Sequence, residues 1–424
     1  MRKPNNSIEV AKYRCEQILY HPRLLNATSF RHPFSVPQFE AFRALRYSQK
    51  LNLGELCAPP YDVQNDDDRT RFASLNKHNI VHLDMPSGPD AYDGAAKLLQ
   101  EWISTGALVL DDAPSFTLYR MKFVDSTGVS RQTVGVLGAL RIEEPNSREV
   151  TPHEQTTPKA KTDRLELTRA TQANLSPIWG LSLTQNLTTA LLESGEHLGT
   201  VTDENNVEHI FERVTNRARC AVISKLVAQN PIVIADGHHR YAVSRTYRDE
   251  NPELKDAKST LCYINELIDE QLSVAAIHRL YSNVSHESLL DQLRKFFIIS
   301  ELGAIDASII GKMQTDQHLT LIGPNSEACS LKPISEIFDG VRNLDSAMLE
   351  HALKDLPHKV EYQHGFAEVS ARLKSESFSA AVLIRPVSVA EIQRTATEQV
   401  LMPPKSTFFT PKLRTGAVIR QLNL

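Results

Sequence analysis

One short run constrains this chain more than any other. The apolar stretch Pro231-Ile232-Val233-Ile234-Ala235 passes into Asp236-Gly237 and then into His238-His239-Arg240-Tyr241. Branched residues suit a buried strand, Asp-Gly suits a turn, and the pattern Tyr241, Ala242, Val243, Arg245 and Tyr247 suits a helix that starts at His238. That order leaves the first N–H groups of the helix without partners, and the helix dipole favours negative charge there. The motif therefore predicts an anion site. Gly237 allows close backbone approach, Arg240 can fork onto phosphate oxygens, and the imidazoles of His238 and His239 can donate to an anion or shuttle a proton. Asp236 either holds a metal ion or caps the helix. The plain alternative is that Asp236 caps, one histidine packs and Arg240 pairs on the surface. Two histidines and an arginine in succession at such a junction favour the anion. Zinc is disfavoured, because adjacent histidines point apart and no H-E-x-x-H partner is near.

Composition narrows the ligand class. The chain has 424 residues, enough for two or three packed regions, with 41% hydrophobic and 23% charged residues and a net charge of −4. No global basic field advertises nucleic acid, so a small-molecule substrate is expected and nucleic acid is not. No stretch approaches the roughly 18 apolar residues of a membrane span, so no membrane partner is expected. The first thirty residues lack a continuous apolar run, which argues against a signal peptide. Five scattered cysteines fit reduced thiols, and the expected location is cytoplasmic.

Along the chain, Met1 to Ser29 reads as a helical or irregular lead-in and Phe30 to Pro37 as loop. Phe39 to Leu45 is strand-like. Ala95 to Ile103 is an amphipathic helix stopped by Gly106, and Ser115 to Val124 with Gln132 to Ile142 forms a hairpin. Thr151 to Lys161 is polar and reads as a loop. Asp163 to Thr171 and Arg217 to Ala228 are helices, and Ile178 to Leu183, Lys258 to Leu267 and Leu272 to Leu280 are strands. Ser194 to Val214 is a short β-excursion, and Ser388-x-x-Glu391 is a capping box that opens a late helix. Strands outnumber clear βαβ units, so the expected class is α+β with a mixed sheet.

Several other constellations carry chemistry. Pro59-Pro60 present Tyr61 and Asp62 on a stiff loop, where Asp62 binds magnesium or a substrate amine, or only caps the next turn. His153-Glu154 opens a polar loop rich in hydroxyls and lysines, a source of a base and of phosphate contacts or simply a solvated loop. Asp163-Arg164 follows as a weaker candidate that also suits an ion pair. Pro403-Pro404-Lys405-Ser406-Thr407 precedes Phe408-Phe409 and Pro411, which suggests a tail packed back onto the body. There Lys405 and Ser406 reach a phosphate, or the segment is a docking strap. His278, His286, His351, His358 and His364 lack partners at metal-ligand spacing and read as structural or solvated.

At these motifs the chain resembles a known family. Asp236 to Tyr241, DGHHRY, is similar to the signature of the bacterial family DUF1015 and to the wider ParB/sulfiredoxin-like superfamily, which includes the free serine kinases. The likeness extends to Ala41 to Tyr47, Ala58-Pro59-Pro60-Tyr61-Asp62, His153-Glu154-x-Thr156, Asp163-Arg164-Leu165, Asn174-Leu175-Ser176-Pro177 and Met402 to Thr407. The resemblance implies a ParB/sulfiredoxin-like core over residues 146–285, between regions 1–145 and 286–424. It implies nucleotide phosphates, from ATP or ADP with Mg²⁺, at Gly237, His238, His239 and Arg240, assisted by Lys405 and Ser406. It also implies an upstream acidic residue that activates a hydroxyl, for which Glu154 is the candidate. Asp236 and His239 complete the expected catalytic set, with Asp236 as metal ligand. Tyr61, Asp62, His153 and Arg164 are the expected substrate contacts. A ParB-type helix-turn-helix has no counterpart, and sulfiredoxin chemistry needs a cysteine where Gly237-His238 stand.

The leading expectation is a nucleotide-dependent kinase for the hydroxyl of a small metabolite such as free serine. The rivals are a nucleotide-binding regulator without phosphoryl transfer and a phosphoester hydrolase using the same cradle.

Overall fold

A computed structural model of the chain describes residues 36–125, 128–144, 147–154, 161–398 and 400–424. The lead-in read over residues 1–29, the Ser126-Thr127 turn and Thr156 to Lys159 lie outside the described residues.

The architecture is mixed α+β, built on a nine-stranded mixed sheet and a six-stranded sheet. The motif strand, Ile232–Asp236, lies inside the larger sheet. On one side it pairs parallel with Val150–Pro152, and on the other antiparallel with Ile178–Ser182. Strands Phe116–Val124 and Ser130–Arg141 join the same sheet, as does Ser259–Glu266, so residues on both sides of position 145 share one layer. The strand's residues are buried on both faces, as its branched composition demands. Ile232 and Ile234 face the helices Arg217–Val227 and His238–Glu250, in a core with Ile178, Ile223, Val227 and Tyr241. Val233 and Ala235 face the opposite way, onto Trp179, Leu181, Met402 and Phe409. Gly180 is required for this close packing, because a Cβ there would stand 2.6 Å from Ile232.

The six-stranded sheet is antiparallel and runs from Phe297–Leu302 at one edge to Lys359–His364 at the other. From Val400 on, the chain returns over both regions. Phe408–Thr410 pairs with Ser273–Ala275, Arg420–Gln421 pairs with Ala173–Asn174, and Thr415 bridges Ala58. Met402 and Phe409 are fully buried along this return. Each such side chain contributes about 1.5–3 kcal/mol of burial. The tail is therefore structural, as its apolar content predicts.

The helix from Ala91–Ser104, the hairpin and the helix Lys161–Thr171 match the sequence pattern, and Gly106 takes a positive φ of 74° after the first of these. Four details differ. Phe39 to Leu45 is not one strand, because Phe39–Glu40 joins the large sheet whereas Leu45–Tyr47 pairs with Leu108–Leu110. Leu272 to Leu280 likewise splits into Ser273–Ala275 and Ile277–Ser282, which belong to different sheets. Thr151 and Pro152 form strand rather than loop, because the parallel partner Ile232–Asp236 supplies backbone pairing that their polar context hides. At the late helix, Ser388 accepts from the Glu391 N–H, but the Glu391 carboxylate pairs with Arg342 instead of closing the box.

Candidate anion-binding site

Parallel pairing of Val150–Pro152 with Ile232–Asp236 brings the ends of two strands to one place. In that register, His153 and Glu154 leave the sheet beside Ala235 and Asp236. Crevices at the carboxyl ends of parallel strands are favoured places for ligands. Between Ile234 and Asp236 the pairing with Ile178–Ser182 slips by a bulge, which re-aims the end of the motif strand. Gly237 then takes φ 89° and ψ 27°, a left-handed conformation that glycine adopts freely, and the helix His238–Glu250 begins. No side chain caps that helix, and its first turn carries no acidic residue. The first-turn N–H groups are thus unspent by capping.

Asp236 does not cap the helix. Its Oδ1 accepts from Lys412 at 2.9 Å, and its Oδ2 accepts from Arg240 at 2.6 Å. Burial alone would raise its pKa, but Lys412 and Arg240 outweigh that and hold the carboxyl well below the usual range. Arg240 is buried rather than a surface pair. It also donates to the Pro177 carbonyl and stands 3.7 Å from Asp62. Burial opposes its charge, whereas Asp62 and Asp236 reinforce it, and the guanidinium stays firmly protonated. Asp236 thus lies between two cations beside the open helix start, and Arg240 is shared with Asp62.

The histidines differ. His153 is buried, and its Nδ1 lies 2.6 Å from the Ile234 carbonyl, so Nδ1 carries the proton. Nε2 therefore accepts from the Thr407 hydroxyl, also at 2.6 Å. The His153 and His238 rings lie 5.0 Å apart. Burial, and next the nearby His153, push the His238 imidazole down to about 3. Among the described residues, Nε2 of His238 meets no hydrogen-bond partner although it is buried. Such an orphan is costly unless a ligand or water completes it. His239 sits half-buried in the same helical turn.

Glu154 reaches this centre through His153, whose Nε2 is 3.8 Å from its Oε2. The tail holds it there: Met402 bridges Glu154, Met402 N–H donates to the His153 carbonyl, and Ser406 N–H donates to Glu154 at 3.1 Å. Ser406 itself is fully buried, and its hydroxyl meets Ser346 and Pro403. It therefore positions Glu154 and is not set to hold a phosphate. Lys405 is exposed at φ 57° in the preceding turn.

Tyr61, Asp62 and Arg164 gather on the far side of Arg240. The Arg164 guanidinium lies 4.2 Å over the Tyr61 ring and donates to the Asp84 carbonyl at 2.6 Å. Burial raises both the Asp84 carboxyl and the Tyr61 hydroxyl, the latter to about 12. A crevice of about 40 Å³ separates this group from Ser176, Ser244 and Thr260. That is space for water, not for a metabolite.

Sequence reasoning assigned no role to Lys412, and named Thr407 only as part of the run Pro403 to Thr407. The first closes the charge triad with Asp236, and the second donates to His153 Nε2. The signal for Lys412 was the apolar content of the tail around it.

The fold and site define a mixed α+β protein with an anion-ready strand–turn–helix at the carboxyl end of a parallel strand pair. The chain belongs to the DUF1015 family of proteins of unknown function, whose model matches residues 39–347. No curated protein sequence matches it. Among solved structures it is similar to a conserved hypothetical protein from Pyrococcus furiosus, at 13% identity and a TM-score of 0.37, covering 64% of this chain and 92% of that one. A free serine kinase in complex with AMP is 12% identical with a TM-score of 0.38, covering 65% and 89%. SbnI from Staphylococcus aureus, with a C-terminal truncation, is 11% identical with a TM-score of 0.38, covering 67% and 87%.

Proposed function

We propose that the chain is a nucleotide-dependent phosphotransferase acting on a hydroxyl of a small metabolite. The observation that carries this reading is the meeting of Glu154, through His153, with the uncapped helix start at Gly237 to Arg240. Phosphate oxygens accept from the first-turn N–H groups, and His238 Nε2 gains the partner it lacks. Lys412, shared with Asp236, balances the charge of the transferring group. Glu154 takes the proton of the acceptor hydroxyl as its oxygen bonds to phosphorus and the bond to the nucleotide breaks. The Ser406 N–H holds the base from the tail, and His153 packs beside it. His239 borders the approach, while Tyr61, Asp62 and Arg164 support Arg240 from its far side.

Magnesium would ride on the nucleotide's own phosphates. Asp236 does not fit as its ligand, because both its oxygens face cations. Among the described residues no group of three His, Cys, Asp or Glu is arranged for a metal.

Isotope-labelled ATP or ADP with a panel of hydroxyl metabolites, free serine included, tests the reading. Glu154→Gln keeps an acceptor for the Ser406 N–H and should lower transfer by about 10²–10⁴, the range for a general base. Unchanged turnover in Glu154→Gln and Arg240→Ala would sink the assignment. Nucleotide binding without consumption would favour a regulator instead.

A further inference from the structure

Lys412 borders a second space. A cleft of about 400 Å³ opens between the Pro59–Val63 loop, the end of the hairpin at Phe123 and Val124, and the tail from Phe408 to Arg414. Its size falls at the lower end of small-molecule sites, roughly 300–1,000 Å³. Its charges are distributed unevenly. Asp68, Asp125, Asp203 and Glu204 outnumber the cations Arg71, Lys412 and Arg414 on its walls. Most of these ions satisfy one another: Arg414 pairs with Asp203 and Glu204, Arg131 with Asp125, and Arg71 with Asp68. A polyanion gains nothing in such a space.

A neutral, hydroxylated ring system fits it better. Val63, Phe123, Val124 and Pro411 supply apolar wall, and the exposed carboxylate of Glu204, with the half-buried one of Asp68, offers acceptors for hydroxyls. Among the described residues, the one cation on the wall that does not pair within the cleft is Lys412, which reaches out of it to Asp236. Lys412 also rests 4.4 Å over the Phe408 ring, and that ring stacks on His364 at 4.2 Å. The lysine is thus held at the boundary between the cleft and the uncapped helix start.

We infer that this cleft holds the nucleoside part of a nucleotide whose phosphates pass Lys412 to reach the start of the His238–Glu250 helix. The inference rests on the anion site proposed above and adds to it where the uncharged part of the ligand lies. His364, read from the sequence as structural or solvated, becomes the outer support of the Phe408 ring. The loop Pro59 to Asp62 serves both spaces, with Pro59 and Val63 on the cleft and Tyr61 beside Arg240.

Titration calorimetry of the full chain with ADP, adenosine and pyrophosphate separates the two claims. Val63 and Val124 are exposed, at 38% and 65%, so Val63→Trp and Val124→Trp fill the cleft without disturbing a core. At least one of them should weaken ADP tenfold or more and leave pyrophosphate within twofold. Pyrophosphate also reports that the variant is folded. If both variants bind ADP as the parent does, the cleft is not the nucleoside site and the anion site stands. If the parent binds neither ADP nor pyrophosphate, both claims fall together.

Discussion

Lys412 donates to Asp236 at 2.9 Å across 176 positions of sequence, and this contact ties the C-terminal return to the motif strand. It makes the carboxylate the centre of a triad with Arg240 instead of a helix cap. Because Asp236 also accepts from Arg240, an arriving phosphate can share Lys412 without leaving the carboxylate unpaired.

Lys412→Met should therefore reduce pyrophosphate affinity by about tenfold, equivalent to about 1.4 kcal/mol. Stability should fall by about 1–3 kcal/mol, because Arg240 remains to satisfy the carboxylate. The Asp236 carboxyl is held below its ordinary value, so its contribution is present at neutral pH and lost as acid protonates it. The variant should lose that contribution at a higher pH. Calorimetry and urea unfolding at pH 7 and pH 3 check both effects.

His238 gives a second test. Its imidazole stays neutral in the fold down to about 3, whereas an unfolded histidine protonates near ~6.5. Between those values the unfolded chain binds more protons, so stability falls as pH drops from about 6.5 towards 3. His238→Asn should reduce that slope, with buried His153, His209 and His278 left as contributors of the same sign. An anion beside Nε2 raises the imidazole's pKa, so pyrophosphate binding at pH 5.5 should take up protons. Calorimetry in buffers of different ionisation enthalpy reads this uptake directly.

The strand–turn–helix was legible because all its determinants are local: branched residues, then Asp-Gly, then a helical pattern. The family match adds that the motif belongs to a DUF1015 chain. The companions were less legible. Glu154 reaches the centre only because Val150–Pro152 adds to the sheet in parallel, a pairing between segments some eighty residues apart that no periodicity announces. Lys412 and Thr407 depend on a tail that folds back over both sheets. Ser406 shows the converse: a plausible phosphate contact by composition, it is buried at the tail's turn and spends its backbone N–H on Glu154.

Glu143 sets an alkaline limit. Burial, and then the charge of Glu149, raise its carboxyl to about 8, and its backbone N–H meets the hydroxyl of the motif residue Tyr241. An unfolded glutamate is already ionised above ~4.3, so stability should decline as pH rises from there to about 8. Glu143→Gln should remove the decline and gain on the order of 1–3 kcal/mol at pH 9, as seen in thermal unfolding against pH.

Gly237→Ala should damage the site more than the fold. The left-handed backbone costs a non-glycine residue about 1–2 kcal/mol, and the new Cβ would stand 3.1 Å from Nε of Arg240. Displacing that guanidinium loosens Asp236, so anion affinity should fall by more than the loss of stability alone explains. Pyrophosphate titration well below the melting temperature separates the two.

The central claim is that anions bind at the start of the His238–Glu250 helix. Amide NMR of the isotope-labelled chain during pyrophosphate titration tests it most directly. The account predicts saturable shifts of the His238, His239 and Arg240 amides, abolished in Gly237→Ala. Binding that leaves those three amides unmoved, or no binding at all, would contradict it.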